Sequence, residues 1–417
     1  MKKLKFNETA SKHLKQLEEL RSPEDLKLIN ELANYIDCKK ADNFVIIPCH
    51  IKESGLKESL LAYKDAALDP STEIIVFINA SESSSDQEFQ ELAAKRILDI
   101  EAAMHDLAAL KVQVLSHHFR SKRNQSRIRG VVTDALIKQC LETGIEDPIL
   151  ISNDADALAY APNYLKEIRE SFRNNELLDF ASGPIFWSGC DSQARIRYRP
   201  EIPLPEVFLS DFFGQFGDEI YREYGHIYTT GCNSAFRLAS VCAINGYDFS
   251  YEPSFDVEIG VRLKEMRQAA AEDSAGFSQF LYKCSLSTNP RRAFYAQLKN
   301  IPYGMQFDNF ATVLGAELSI LECIEAYQNS KEFLQIDELK DYEANKSKVH
   351  QRLSSTFEQF IIGEAAQNKA AFAKRLADRL GMEVLELDAS SDRFSISFNW
   401  DKSTQFLNRI VQWAKYL

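Results

Sequence analysis

The stretch ILISNDADALAYAPNYL, residues Ile149–Leu165, begins as an apolar run and then presents two carboxylates one residue apart. Like charges at that spacing repel, so Asp154 and Asp156 call for a cation, a proton or a set of donors close by. If the backbone stays extended through them, side chains two residues apart point the same way, and both acids can face one ligand. Two hard oxygen donors at a strand end suit Mg²⁺ or Mn²⁺ shared with substrate phosphates, since Mg²⁺ keeps part of its shell for water and phosphate. The plain alternative is a solvated turn with an Asp capping the next helix, because D-x-D by itself is a frequent accident.

Three earlier apolar runs precede this one: FVIIP at 44–48, EIIVFI at 73–78 and VQVLS at 112–116. Each leads into a helical pattern, respectively ESGLKESLLAYKDAAL, EFQELAAKRILDIEAAMHDLAAL and GVVTDALIKQCLETG. Continuous apolar strands alternating with helices predict an α/β fold whose mostly parallel sheet is covered by helices on both faces. Ligands of such sheets bind beyond the carboxyl ends of the strands, where PCHIKES, NASESSS and NDADA all fall.

Residues 1–40 read as a helical N-terminal extension, with leucines at helical spacing and a capped helix start at SPED. The α/β domain is expected over 41–305, and a mainly helical C-terminal region over 306–417. Inside the domain, DFASGPIFW and ARIRYRP read as strands. HIYTTGCNSAFRLASVCAINGYD reads as a loop entering a helix that stops at Gly246. Near the end, MEVLELDASSDRFSISFNW reads as a two-strand element and STQFLNRIVQWAKYL as a final helix.

The 417 residues are 45% hydrophobic and 26% charged, which describes a globular chain. A net charge of −12 argues against nucleic acid as a partner, since Lys and Arg supply affinity for phosphate backbones. No apolar run reaches the roughly 20 residues that span a bilayer, and the basic start has no apolar segment behind it, so export by a signal peptide is not expected. The eight cysteines are scattered with no C-x-x-C pair, which fits reduced thiols in a cytoplasm.

Three further segments could carry chemistry. RSKRNQSRIRGVVTDA, Arg120–Ala135, sets five basic residues before a Gly and a helix, the makings of an anion site or simply a solvated basic loop. In YEPSFDVEIGVRL, Asp256 and Glu258 stand at a helix start, where they cap free amides or where Asp256 serves as a general base. STNPRRAF offers Arg291 and Arg292 as a clamp for phosphate or carboxylate, or as surface residues. The adjacent His117 and His118 read as polar residues at a strand end. No G-x-S-x-G, Walker loop or G-x-G-x-x-G occurs.

Taken in order, these segments resemble the GT-A nucleotide-sugar glycosyltransferases grouped as family 2. VIIPCHIKESGLKESLLAY is similar to that family's opening strand and helix, and the resemblance implies donor contacts from Pro48 and Glu53. EIIVFINASESSSD resembles its second strand and loop, implying donor contacts from Asn79 and Ser81; Ile78 stands where an Asp is common and Ala80 where Gly is common. RIRGVVTDALIKQ matches the diphosphate segment at Arg129, Gly130 and Asp134. ILISNDADA looks like the D-x-D motif, which implies Asp154 on the sugar nucleotide and Asp156, with Asp154, on a metal ion. FDVEIGVRL is similar to the segment that supplies the base, matching at Asp256 with Phe255 in place of the neighbouring acid. TNPRR could correspond to the donor loop, giving Arg291 and Arg292 to the diphosphate.

The resemblance spans about residues 42–295 and implies a transferase using Mg²⁺ or Mn²⁺ and a UDP- or GDP-linked sugar donor. Asp256 as base implies inversion, and the hydroxyl acceptor is open among saccharide, lipid and small molecule. Two other readings stand beside it. Strand-then-D-x-D is also the nucleophile motif of haloacid dehalogenase-type phosphatases, although Leu158 stands where Thr or Val is usual. A glycan- or cation-binding module on a GT-A scaffold is the second. The C-terminal helices read first as packing, with a homodimer face or contact at the inner face of a membrane as their other uses.

Overall fold

In the computed structural model the four apolar runs form four adjacent strands of a seven-stranded sheet, one of them at its edge, joined by three strands from later in the chain. The structure describes residues 3–39, 41–68, 70–80, 82–121, 124–186, 189–190, 196–197, 231–250, 255–269, 276–288, 336–363, 382–390 and 393–404, and positions 374, 377, 378, 407, 408, 411 and 415. The chain divides into two compact units. One is built from Met1–Ile185, Cys190–Arg195 and Gly217–Thr288, the other from the remaining residues.

The first four strands are β1 (Asn43–His50), β2 (Thr72–Ala80), β3 (Val112–His118) and β4 (Ile149–Ser152). After β4 come β5 (Ala157–Tyr160), β6 (Phe180–Ser182) and the two-residue strands β7 (Ile185–Phe186), β8 (Gly189–Cys190) and β9 (Ile196–Arg197). Strands β10 (Ser234–Arg237), β11 (Ser278–Phe280) and β12 (Leu286–Thr288) follow, all in the first unit. The sheet order is β11-β6-β10-β4-β1-β2-β3. Strands β1 to β4 are mutually parallel. β10 pairs antiparallel with both β4 and β6, and β11 is parallel to β6, so β10 alone runs against the other six. The fold is therefore α/β with a mostly parallel sheet, as the alternating pattern predicts.

The period of two along each strand sorts the core into two layers. Phe44, Ile46, Ile75, Phe77, Leu150 and Phe236 face one side, where they pack with helices α1 (Phe6–Leu20), α2 (Pro23–Ala33) and α5 (Gln125–Thr143). The same layer holds α7 (Leu238–Ala243) and α8 (Phe255–Ala269). Val45, Ile47, Ile74, Val76, Ile78 and Ile151 face the other side, against α3 (Leu56–Leu61), α4 (Asp86–Asp106) and α6 (Tyr164–Asn174). Residues 6–36 belong to the first layer: Phe6, Ala10, Leu28, Ile29, Leu32 and Ile36 are all buried there. The Ser22 hydroxyl accepts from the Asp25 amide at 3.1 Å and Pro23 opens α2, which is the capped start read at SPED.

Pro48 does not end β1. The strand continues to His50, with Pro48 opposite Phe77 of β2. The Ile46 carbonyl accepts from the Asn153 amide at 3.1 Å, so Ile46, and with it Pro48 two residues on, turns toward β4. β4 stops at Ser152, opposite Ile46, and the N–H that Pro48 lacks therefore falls beyond the ladder.

SAFR, read as loop, is strand β10, and it feeds directly into α7. The turn that follows that helix carries Asn245 and Gly246, which take φ of 64° and 70°. A Cβ on Gly246 would lie 3.1 Å from Asp134 Oδ1 and 3.2 Å from Arg21 Nη2. Gly246→Ala is expected to cost more than the roughly 1–2 kcal/mol of left-handed strain alone. Urea unfolding of the variant checks this, and an unchanged midpoint would contradict it.

In the second unit, α9 (Ile336–Lys340) and α10 (Tyr342–Gly363) precede the antiparallel hairpin β13 (Val384–Ser390) and β14 (Arg393–Phe398), the two-strand element expected near the chain's end. Leu339, Val349, Leu353, Phe398 and Trp400 are buried, and the Trp400 indole donates to Ser354 Oγ at 2.8 Å. No helix among the described residues is long and apolar enough to cross a membrane.

Candidate functional site

The two carboxylates lie on the turn between β4 and β5, at the carboxyl end of the central parallel strands. The backbone turns at Ala155 and Asp156 instead of staying extended, so the two acids are presented by a turn and not by the alternation of a strand. Asp154, about a quarter exposed, accepts from the Arg129 guanidinium. Asp156 is 4% exposed and accepts from the Thr288 hydroxyl at 3.1 Å. The repulsion that the sequence poses is thus met within the chain, by a cation on one acid and a hydroxyl donor on the other.

Arg129 sits on α5, which begins at Gln125, five residues before the helix start read at Gly130. Asn124 caps it by accepting from the Arg127 amide at 2.6 Å. Residues 126–137 of α5 are all buried, so its charged side chains must be paired. Arg129 also donates to Ser152 Oγ at 2.6 Å and to the Asn153 carbonyl at 3.3 Å. Arg127 donates to Asp25 at 2.7 Å, and Arg120 pairs with Asp86. The solvated basic loop of the sequence reading is thus, in its described part, largely an acid-paired helix. Gly130 leaves room for the Phe249 ring, which a Cβ there would strike.

Asp134 lies on another face of the same helix. It is fully buried, accepting from Arg21 Nε at 2.8 Å and lying 2.9 Å from His13 Nε2. Burial by itself raises this carboxyl, but the Arg21 charge and the His13 hydrogen bond outweigh it and hold the group below the usual carboxylate range. The structure gives Asp134 to the anchoring of α1 and does not bring it to the Asp154–Asp156 turn.

Asn79 is buried at the end of β2, its amide donating to the Cys49 and Phe77 carbonyls at 3.1 Å each. Glu53 accepts from the Gly55 amide at 3.1 Å just after β1, and its carbonyl accepts from Arg96. Asp256 lies in the first turn of α8, whose far end is tied to β6 by Arg267, bidentate on Asp179 at 2.6 Å. Glu258, on the same helix, pairs with Arg262, and burial pushes its carboxyl upward. Ser81, Arg291 and Arg292 lie outside the described residues. Thr288 was missed: STNPRR attracts attention to its arginines, while the hydroxyl three residues earlier is the group that reaches Asp156.

His118 ends β3 as read, 3.0 Å from Asp86 and stacked on Phe89. Cys38, Cys49, Cys140, Cys232, Cys242 and Cys284 are thiols, none of them in a disulfide. Among the described residues no group of three or more His, Cys, Asp or Glu could hold a metal ion.

No protein-family model matches the chain, and no curated protein matches it in sequence. Among solved structures it is similar to the mannosyltransferase of Pyrobaculum calidifontis in complex with GDP-Man and Mn²⁺. The identity is 12% and the TM-score 0.40, over 99% of this chain and 98% of that one. It is also similar to glucosyl-3-phosphoglycerate synthase of Mycobacterium tuberculosis in complex with Mn²⁺, UDP and phosphoglyceric acid. There the identity is 12% and the TM-score 0.36, over 69% of this chain and 81% of that one.

Proposed function

We propose that the chain is a GT-A glycosyltransferase that moves a sugar from a nucleoside diphosphate sugar to a hydroxyl acceptor. The observation that carries the reading is the Asp154–Asp156 turn, set at the carboxyl end of parallel strands with Arg129 on Asp154 and Thr288 on Asp156. Open α/β sheets bind ligands at that end. The donor set is hard oxygen throughout, and a cation bound by two carboxylates leaves coordination places for phosphate oxygens. Arg129 offsets one of the two negative charges, which leaves a single net charge for a dication with a diphosphate to meet. The residues therefore fit Mg²⁺ or Mn²⁺, with Asp156 and Asp154 as its holders. Bound there, the ion would supply Lewis-acid stabilisation of the leaving diphosphate.

The chain's own groups divide the remaining work. Arg129 is assigned to the nucleotide side of the turn, and Pro48, Glu53 and Asn79 follow the first two strands toward the same end; Ser81 is proposed as a further donor contact. Arg291 and Arg292 are proposed for the diphosphate. Asp256 takes the proton of the acceptor hydroxyl as it attacks the anomeric carbon, which gives inversion. Asp256→Asn is expected to lower transfer by at least about a hundredfold while nucleotide affinity stays within twofold. Unchanged turnover in that variant removes Asp256 from the role. A thermal-shift screen of UDP, GDP and their sugars with Mn²⁺ identifies the donor, since ligands of the native state raise its stability.

A further inference from the structure

We infer that Tyr164 is a positioning residue for the carboxylate turn, through a buried relay Tyr63–Asn153–Tyr164–Asn233; its link to metal binding rests on the function proposed above. Asn153 directly precedes Asp154 and is fully buried. Its Oδ1 accepts from the Tyr63 hydroxyl at 2.6 Å, and its Nδ2 donates to the Tyr164 hydroxyl at 3.0 Å and the Cys232 carbonyl at 2.9 Å. The Asn233 amide donates to the Pro184 and Cys284 carbonyls at 2.9 and 3.0 Å.

Carbonyl groups only accept, so they fix which end of each amide is nitrogen. Tyr164 must then accept from Asn153 and donate to Asn233 Oδ1, which lies 2.8 Å away. The relay has one direction, and a hydroxyl that both accepts and donates stands at its middle. Burial pushes the Tyr63 and Tyr164 hydroxyls upward, so both remain protonated donors. Tyr160 stacks on Tyr63 at 4.2 Å and lies 4.9 Å from the Tyr164 ring, holding both phenols from the side.

The relay reaches both acids. Asn153 sets the backbone entering Asp154, while Asn233 holds the Cys284 carbonyl, four residues before the Thr288 that bonds Asp156. A purely packing Tyr164 would need only its ring. All four side chains are at most 2% exposed, so water cannot replace a lost bond.

Tyr164→Phe removes one oxygen and keeps the ring. Amide exchange in 150–160 and in 284–288 is expected to quicken by about tenfold, with α1 and α2 unchanged. The gain in UDP or GDP affinity on adding Mn²⁺ is expected to shrink about tenfold, while affinity without Mn²⁺ holds within twofold. Tyr63→Phe serves as a second variant, quickening 150–160 but not 284–288, because Tyr63 joins the relay on the Asn153 side. Exchange changes confined to α6, or equal affinity loss with and without Mn²⁺, overturn the inference. If the wild type gains no affinity from Mn²⁺, the proposed function falls, and the exchange pattern alone decides whether Tyr164 positions the turn.

Discussion

Asp134→Asn is expected to lower the stability of the first unit at neutral pH by about 3–5 kcal/mol, the usual cost of leaving one member of a buried ion pair alone. The substitution keeps the shape of the side chain and removes its charge. Arg21, 3% exposed, then keeps a buried guanidinium without that counter-charge, close to the Phe249 ring 3.8 Å away. The pH dependence gives a second check. The folded Asp134 carboxyl lies below its ordinary value, so its contribution is present above about pH 4 and is lost as pH falls through the folded value. A protonated Asp134 resembles Asn, and the gap between wild type and variant should close in acid. Amide exchange of α5 reads this unit separately from the rest of the chain. A gap below about 1 kcal/mol at neutral pH would contradict the buried pairing.

Asp156→Ala is expected to reduce transfer by about a thousandfold, since a Lewis acid on the leaving group supplies several kcal/mol and each 1.36 kcal/mol is a decade. Thr288 loses its acceptor in the variant, so some local loosening of β12 accompanies the loss. An unchanged thermal midpoint alongside the lost activity separates chemistry from folding. Activity within tenfold of wild type would mean that the turn does not hold the ion.

The interior strands β1, β2 and β4 were legible because strands buried on both faces must be apolar throughout, and EIIVFI or ILIS has no other economical use. Strand β10 was not, since Ser, Ala, Phe and Arg carry no period, and its place between β4 and β6 depends on partners at least 52 residues away in sequence. The start of α5 was hidden for a similar reason. RSKRNQSRIRG looks solvated until Asp25 and Asp154 are seen to receive Arg127 and Arg129. The acid pair was legible but the turn at Ala155 and Asp156 that carries it was not, because nothing in NDADALAY marks where the extended backbone is interrupted. One sign of the anchored N-terminal helices was present: Asp134 is the only charge in GVVTDALI, and a buried acid needs a partner from elsewhere.

The central claim is that the Asp154–Asp156 turn binds a nucleoside diphosphate together with a divalent cation. Calorimetric titration of UDP and GDP into the wild type and Asp156→Asn, with and without Mn²⁺, tests it most directly. Mn²⁺ is expected to tighten one nucleotide by at least about tenfold in the wild type, or roughly 1.4 kcal/mol, and not in the variant. Equal affinity with and without Mn²⁺ in the wild type, or no binding of either nucleotide, would contradict it.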